Sequence, residues 1–257
     1  MFIVRANSAR VPVTAYTTAV PARKSVTAAA GGRVELWLAQ PGARARFDAG
    51  PLEPAERAHW HQMKTERRRQ DWETSRALLQ HRVIASAERA SLSHSAGFAA
   101  LAVTAAAVDI GVDVEACRPR RFTDLARLAF APAEIELLES LGDDATRCAV
   151  FYELWTLKEA CAKALDLPLT EALRRCCFAG WFGGGAAPHD AVSCVTAWSA
   201  QVYAPQPSLR LAVVVVGATA GDGDVTLHEW PGEAHPQWPC VHRFAAPIPI
   251  QRARETT

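Results

Sequence analysis

Residues 108–115 read Val-Asp-Ile-Gly-Val-Asp-Val-Glu, an alternation of apolar and polar side chains. A period of two predicts a β-strand, with the aliphatic side chains on one face and Gly111, Asp113 and Glu115 on the other. Two residues span about 6.5 Å along a strand, so both carboxylates can lean towards one point. Like charges that close raise a pKa unless a cation lies between them. Gly111 leaves room beside them for a ligand or another backbone.

A second polar cluster lies about forty residues further along the chain. Apolar residues within 147–166 recur with a helical period, and the helix is predicted to end before Pro168. Glu159 and Lys163 are four residues apart and therefore share one face of this helix. Lys158 is rotated by about 100° from Glu159, towards a neighbouring wall.

Each cluster alone has an ordinary interpretation. An Asp-x-Glu strand is usually a solvated face, and a Glu–Lys pair four residues apart is usually a surface ion pair worth a few tenths of a kcal/mol. Together they offer three carboxylates and two lysines. Mg²⁺ prefers a few hard oxygen ligands, several waters and substrate phosphates. The combination therefore favours a magnesium ion that holds a pyrophosphate.

The two clusters resemble the signature motifs of the 4′-phosphopantetheinyl transferase superfamily. The matching stretches are Gly-Val-Asp-Val-Glu at 111–115 and Trp-Thr-Leu-Lys-Glu-Ala-Cys-Ala-Lys at 155–163. Two weaker features are Ser-Leu-Ser-His-Ser at 91–95 and Ser-Arg-Ala-Leu-Leu at 75–79. The resemblance covers roughly residues 50–170, and the chain length resembles the long, pseudo-dimeric type of the family.

The resemblance implies an α+β fold of two similar α/β halves related by a pseudo-twofold axis. Each half would have an antiparallel sheet with packed helices, and the active site would lie in the cleft between them. On this division residues 31–107 are the N-terminal half and residues 108–230 the C-terminal half with the metal site. Residues 1–30 are expected to be a poorly ordered extension, and residues 231–257 a proline-containing tail without a chemical role.

Periodicity and turn residues predict the remaining elements. Helices are expected within 54–90, 121–141 and 147–166, and a glycine-rich loop at 180–185. Strands are expected at 33–39, at 97–104 as a neighbour of 108–115, in a hairpin of 193–203 with 209–217, and at 224–230.

The implied activity is that of an enzyme of the holo-(acyl carrier protein) synthase type. Such an enzyme transfers the 4′-phosphopantetheine arm of coenzyme A to a serine hydroxyl of an apo acyl, peptidyl or polyketide carrier protein. Adenosine 3′,5′-bisphosphate leaves. Coenzyme A is thus the implied co-substrate, and the carrier belongs to fatty-acid, polyketide or nonribosomal peptide biosynthesis.

The resemblance assigns Asp113, Glu115 and Glu159 as ligands of Mg²⁺, with Mn²⁺ as an alternative. The implied catalytic set is Asp113, Glu159 and Lys163. Glu159 would act as general base on the carrier serine, preferably through a water, because a metal-bound carboxylate is a weak base. Lys163 would neutralise or protonate the departing phosphate.

The implied coenzyme A contacts are Arg76, Ser93, His94, Lys158 and Lys163. His94 would contact the 3′-phosphate, with Ser93 as an added hydroxyl donor, and Lys158 would line the phosphate site. A protonated imidazole binds phosphate better, so affinity is expected to weaken as pH rises through its pKa. The ordinary interpretations are a structural histidine and a helix-surface arginine.

One segment departs from the long type. Its members carry a Gly-Lys-Pro sequence between the helix with Arg-x-Leu-Leu and the Ser-His-Ser stretch, whereas about a dozen residues, 81–92, fill that gap here without one. Arg82 and Arg89 are candidate substitutes for the missing lysine. The short segment keeps a non-catalytic binder of carrier proteins or coenzyme A open as an alternative. A different Mg²⁺-dependent phosphate enzyme would need another phosphate cradle, and no P-loop sequence occurs.

Composition bounds the remaining classes. The 257 residues are 49% hydrophobic and 21% charged with a net charge of +1, which indicates a folded protein and gives no support for nucleic-acid binding. The sequence lacks a run of eighteen apolar residues and an apolar signal core, so no membrane span is expected. Seven cysteines without a C-x-x-C pair fit reduced thiols. We therefore expect a cytoplasmic monomer.

Overall fold

A computed structural model gives the fold. It describes residues 33–105, 108–182, 197–217, 224–232 and 236–247. The expected N-terminal extension, residues 1–30, and residues 183–185 of the expected glycine-rich loop lie outside these ranges. Residues 180–182 of that loop belong instead to a short helix, Ala179–Phe182, which corrects the expectation there. Within them, the helices are all too short or too polar to cross a membrane.

Strands and helices alternate in blocks along the described ranges. The strands are β1 (Val34–Ala39), β2 (Arg89–Ser95), β3 (Phe98–Thr104), β4 (Asp109–Ala116), β5 (Ala197–Gln206), β6 (Leu209–Val216), β7 (Val225–Trp230) and β8 (Cys240–Pro247). The α-helices are α1 (Pro54–His61), α2 (Glu66–His81), α3 (Phe122–Ala129), α4 (Pro132–Ser140), α5 (Asp144–Leu165), α6 (Leu169–Arg175) and α7 (Ala179–Phe182). A 3₁₀ helix spans Pro41–Arg46.

The strands form two four-stranded sheets. The first has the order β2-β3-β1-β7, and the second has the order β4-β6-β5-β8. Every pair is antiparallel except β1 with β7, which run parallel. The α+β class with two halves and antiparallel-rich sheets is therefore confirmed.

The sheets pack face to face between two layers of helix. The core between them is built from aliphatic side chains of both sheets, which include Val34, Leu36, Leu38, Val108, Ile110, Val112, Val114, Leu211 and Val213. α2 covers the outer face of the first sheet, and α5 covers that of the second. The alternation in residues 108–115 is thus explained: its apolar face is the inter-sheet core, and its other face meets α5.

Two elements differ from the sequence expectations. The strand at 224–230 is present as β7, but it pairs with β1 through a register that begins at Val34↔Val225, so the end of the second segment completes the first sheet. The expected tail contributes β8, which pairs with β5. Both pairings join residues far apart in sequence, for which no local pattern exists.

The expectation that 97–104 and 108–115 are neighbouring strands is also corrected. β3 lies in the first sheet and β4 in the second, so the two do not pair. The strand beside the open edge of β4 is instead β2, which lies at the edge of the first sheet. This arrangement brings the Ser-Leu-Ser-His-Ser stretch next to the two carboxylates of β4.

Helix α5 begins and ends where the local chemistry dictates. The Asp143 carboxylate accepts a hydrogen bond of 2.8 Å from the Thr146 amide, which satisfies a free donor of the first turn. The helix ends at Asp166, whose φ of 54° is left-handed, two residues before Pro168. The predicted end of the helix is confirmed.

Gly111 sets the distance between β4 and α5. A Cβ atom at this position would lie 2.0 Å from the Ala160 carbonyl oxygen and 2.7 Å from the Ala164 nitrogen. The space beside Gly111 is therefore filled by the helix backbone, one of the two occupants that the sequence left open. This close approach brings the side chains of Glu159 and Lys163 against the polar face of β4.

Candidate metal and phosphate site

Three carboxylates converge where β4 meets α5. One oxygen of each of Asp113, Glu115 and Glu159 lies within 4.8 Å of the other two. β4 supplies the first two because residues two apart share a face of a strand, and α5 supplies the third. Among the described residues, this is the one group of three or more potential ligand side chains that lie this close.

Burial and mutual repulsion disfavour the charged forms of two of these carboxylates. Burial, with repulsion from Asp113, raises the pKa of Glu159 to about 8. The same two causes, in the same order, raise the pKa of Glu115 to about 7. A hydrogen bond from the Trp155 side chain and the nearby Lys163 ammonium partly oppose the shift at Glu159. The cluster is thus short of positive charge.

Lys163 places a positive charge against the carboxylate cluster. Its Nζ donates 2.9 Å to Oδ1 of Asp113 and 2.8 Å to the carbonyl oxygen of Val112. One ammonium faces three carboxylates, so the group remains negative when all three are ionised. The predicted placement of Lys163 on the same helix face as Glu159 agrees with this geometry.

The donor set fits a hard divalent cation. Oδ2 of Asp113 is buried and has no hydrogen-bond partner among the described residues, so one carboxylate oxygen of the three residues is desolvated and unsatisfied. Carboxylate oxygens are the ligands that Mg²⁺ and Mn²⁺ prefer. A bound divalent cation would supply the missing positive charge and a partner for the free oxygen.

Serine hydroxyls of β2 hold two of the carboxylates. Ser93 Oγ donates 2.7 Å to Oδ1 of Asp113, and Ser95 Oγ donates 2.7 Å to Oε2 of Glu115. Ser93 was expected to contact coenzyme A, and its hydroxyl proton is committed to Asp113 here. Sequence reasoning missed both contacts, although the spacing Ser91, Ser93, Ser95 places three hydroxyls on one face of a strand.

His94 lies on the opposite face of β2 and is largely buried. Burial lowers the pKa of its imidazole, Asp71 opposes this shift, and Lys163 adds to it. The imidazole is therefore neutral at neutral pH in the ligand-free protein.

Lys158 does not line the site, and that expectation is corrected. Its side chain is fully buried, with Nζ 2.6 Å from a carboxylate oxygen of Glu134. The same ammonium donates to the carbonyl oxygens of Leu173 and Cys176, at the C-terminal end of α6. The rotation of about 100° per residue turns Lys158 into the core, while its neighbour Glu159 faces β4.

The arginines of the first half occupy defined contacts. Arg76 on α2 pairs with Glu56 at 3.1 Å, and its guanidinium lies 4.9 Å over the Trp72 ring. Its Nε and Nη1 atoms are buried without a hydrogen-bond partner among the described residues. Arg76 therefore has N–H groups available to a ligand. Among the described residues, it makes no direct contact with the carboxylate cluster.

The two candidate substitutes for the missing lysine are engaged elsewhere. Arg82 pairs with Glu35 at 2.8 Å and with Glu88 at 2.7 Å. Arg89 pairs with Asp109 at 2.9 Å. The short segment between α2 and β2 is thus tied down by its own ion pairs, which the sequence alone does not indicate.

Comparisons with known proteins agree with the location of the site. Residues 109–213, which include the whole cluster, match the model of the 4′-phosphopantetheinyl transferase superfamily. Over 86 residues the chain is 37% identical to a protein of Synechocystis sp. that is provisionally named a 4′-phosphopantetheinyl transferase. Over 75 residues it is 43% identical to the 4′-phosphopantetheinyl transferase HetI of Nostoc sp..

These similarities are confined to part of each protein. The first covers 33% of this chain and 34% of the relative, and the second covers 29% and 31%. The chain thus aligns with about a third of the length of each of these curated relatives.

Proposed function

Because residues 109–213 match the model of the 4′-phosphopantetheinyl transferase superfamily, we propose that the protein transfers the 4′-phosphopantetheine arm of coenzyme A to a serine hydroxyl of an apo acyl or peptidyl carrier protein. Adenosine 3′,5′-bisphosphate is the leaving group. The reaction is of the holo-(acyl carrier protein) synthase type.

The observation that supports this proposal most is the carboxylate cluster with its single lysine. Asp113, Glu115 and Glu159 lie within 4.8 Å of one another, inside the segment that matches the superfamily. Phosphoryl transfer asks the protein mainly for positioning and for stabilisation of charge on phosphate oxygens. A buried acidic cluster beside an ammonium is suited to that task once a divalent cation is bound.

Asp113, Glu115 and Glu159 would hold Mg²⁺, or Mn²⁺ in its place. When bound, the ion supplies positive charge to the pyrophosphate of coenzyme A. Lys163 is held by Asp113 and the Val112 carbonyl, so its ammonium is fixed at the edge of the cluster. From there it donates hydrogen bonds to the departing phosphate oxygens.

Glu159 receives the proton of the carrier serine, directly or through a water. The route through a water is preferred, because a carboxylate that holds the cation is a weak base. The serine oxygen forms a bond to the β-phosphorus, and the bond from that phosphorus to the oxygen it shares with the α-phosphate breaks. The leaving phosphate keeps that oxygen and its electron pair.

Two side chains of the first half bind coenzyme A in this proposal. His94 donates to the 3′-phosphate and Arg76 contributes its free N–H groups, whereas the Ser93 hydroxyl faces Asp113 on the other side of β2. Phosphate raises the pKa of a nearby imidazole, so binding favours the protonated form of His94. If His94→Ala costs the same with dephospho-coenzyme A as with coenzyme A, this contact is wrong.

Mass spectrometry of a carrier protein tests the function. The purified protein is incubated with coenzyme A, Mg²⁺ and an apo carrier, with a chelator-treated sample as control. A mass gain of one phosphopantetheine group on the serine is expected only when both cation and coenzyme A are present. No gain across acyl, peptidyl and polyketide carriers, with coenzyme A still bound, would favour the non-catalytic binder.

A further inference from the structure

Three serine side chains join the two sheets where no backbone pairing exists. β2 and β4 are edge strands of different sheets, and the serine ladder, Ser91, Ser93 and Ser95, spans the gap. Ser91 Oγ accepts a 3.0 Å hydrogen bond from the Val112 amide, and the other two hydroxyls donate to carboxylates of β4. The ladder thus replaces a row of backbone hydrogen bonds.

The ladder fixes the register of β2 against β4. Its contacts link residues 20 or 21 positions apart in sequence, so the two strands run in the same direction. A slide by two residues in one direction would place Gly97 opposite Glu115 and leave this carboxylate without a hydroxyl. The geometry of the cluster therefore depends on contacts made by the other half of the molecule.

Ser95 contacts the Glu115 carboxylate and also accepts a 3.5 Å hydrogen bond from the Ala116 amide. It is 7% exposed, and its hydroxyl lies 2.7 Å from Oε2 of Glu115. A glutamate side chain has three rotatable bonds, and this hydrogen bond removes much of that freedom. A carboxylate oxygen has two lone pairs, so Glu115 can accept from Ser95 and still offer oxygens to a cation.

Ser95 is itself held from the first half. It precedes a tight turn in which Ala96 and Gly97 both have left-handed φ values, 53° and 85°. The Gly97 amide donates to Oδ1 of Asp71 on α2 at 2.5 Å. α2 thereby anchors the turn, and the turn anchors the hydroxyl that orients Glu115.

We propose that Ser95 is a positioning residue for Glu115, and that its hydroxyl presets this carboxylate for a divalent cation. The inference deepens the proposed function and rests on its metal site. Ser95 acts through Glu115 and has no contact with the reacting atoms. Hydrogen-bond partners of metal ligands typically set affinity by ten- to a hundredfold, and this is the effect assigned to Ser95.

Binding of Mn²⁺ alone, followed by the electron paramagnetic resonance signal of the free ion, tests the proposal without using activity. Ser95→Ala is expected to weaken Mn²⁺ binding by about tenfold. Ser91→Ala is the matched control, since it removes a contact of the same ladder that touches no carboxylate, and its affinity should stay within about twofold. Ser95→Cys keeps a similar side-chain size with a weak donor and should also lose affinity.

The outcomes separate this inference from the function. Unchanged Mn²⁺ affinity in folded Ser95→Ala, or in folded Ser95→Cys should the alanine variant fail to fold, overturns it. An equal loss of Mn²⁺ affinity in Ser91→Ala also overturns the proposal. The serine ladder as a whole would then be responsible, and not the contact of Ser95 with Glu115. If the wild-type protein binds no Mn²⁺, the inference fails with the metal site, and the carrier assay shows whether transfer fails as well.

Discussion

Lys158 and Glu159 are adjacent in α5 but have different surroundings. Lys158 is sealed in the core against Glu134, whereas Glu159 faces the cluster. Both belong to the motif that carries the family resemblance, so a motif match alone does not distinguish their roles. The helical rotation of about 100° per residue decides which of the two reaches the ligand.

Lys158→Met and Lys163→Met therefore make a matched pair. Lys158→Met leaves the buried Glu134 carboxyl without its partner, and we expect a loss of about 3–5 kcal/mol in the free energy of unfolding. Below its melting temperature the variant should keep most of its transferase activity. Lys163→Met should instead fold normally and lose activity by about a hundredfold or more. Chemical denaturation and the carrier assay measure both; reversed effects would contradict the two assignments.

Asp113→Ala should abolish transfer without unfolding the protein. The change removes one of three mutually repelling carboxylates and the orphaned oxygen that suits a cation. The pKa values of Glu115 and Glu159 should fall, because Asp113 is a cause of both elevations. The rate of carrier modification should drop by about a thousandfold. An active, folded Asp113→Ala protein would rule out the three-carboxylate site.

At the scale of elements, the junction of β4 and α5 determines the site. The helix backbone rests on the strand only because residue 111 has no side chain. Glu159 and Lys163 reach Asp113 through this contact, so their chemistry depends on a packing distance between two elements. Neither residue could compensate for a displaced helix.

Gly111→Ala should therefore destabilise the protein by about 3 kcal/mol, since the new methyl group would overlap backbone that cannot rotate away. Mn²⁺ binding should weaken as well, because α5 must shift. Gly142→Ala is the control, since a Cβ atom at position 142 has no neighbour within 4 Å. Thermal denaturation of the two variants compares them; equal melting temperatures would refute the close approach.

A buried ion pair joins α5 to the second sheet. Burial disfavours the charged form of Glu153, but hydrogen bonds from His242 and the charge of Arg210 outweigh it and hold the pKa below its ordinary value. The contacts are Arg210 Nε at 2.9 Å and His242 Nε2 at 3.1 Å. This carboxylate therefore stabilises the fold while it is ionised.

The sign of the pH dependence follows from the lowered pKa of Glu153. Its contribution is fully present above the unfolded-state pKa of about 4.5 and is lost as pH falls through the folded-state pKa. Glu153→Gln should therefore show a smaller decline in unfolding free energy than wild type as pH falls from about 6 to 3. Urea denaturation at several pH values measures it; parallel declines would assign the acid sensitivity to other groups.

At the scale of the whole molecule, β7 ties the two halves together. It follows two strands of the second sheet in the chain, but it pairs with β1 of the first sheet, which lies about 190 residues earlier. Residues 31–107 alone would lack this strand and would expose the aliphatic core that the two sheets share. The division into halves proposed from the sequence therefore leaves one strand of the first sheet in the second segment.

A fragment of residues 31–107 is accordingly expected not to fold by itself. Its first sheet would have three strands, with β1 at an open edge and Leu36 and Leu38 facing solvent. Circular dichroism and amide proton dispersion of the fragment, beside the same measurements on the full chain, report on this. A fragment with native-like dispersion would show that β7 is dispensable.

Features that depend on local sequence could be predicted, whereas features that depend on contacts between distant residues could not. The strand at 108–115 and the helix that carries Glu159 follow from local periodicity, and the cluster follows from the side chains they align. β8 and the pairing of β7 could not be predicted, because their partners lie far away in sequence. The same holds for the burial of Lys158, since Glu134 and the carbonyl groups of α6 belong to other helices.

The contact at Gly111 also bears on selection experiments. In a saturation library screened for carrier modification, position 111 should tolerate substitution as poorly as Asp113, whereas position 142 should accept many residues. Intolerance at position 111 would reflect the short distance between two backbones. Intolerance at position 113 would reflect the loss of a ligand. A screen for abundance of folded protein separates the two, because only position 111 should deplete in it.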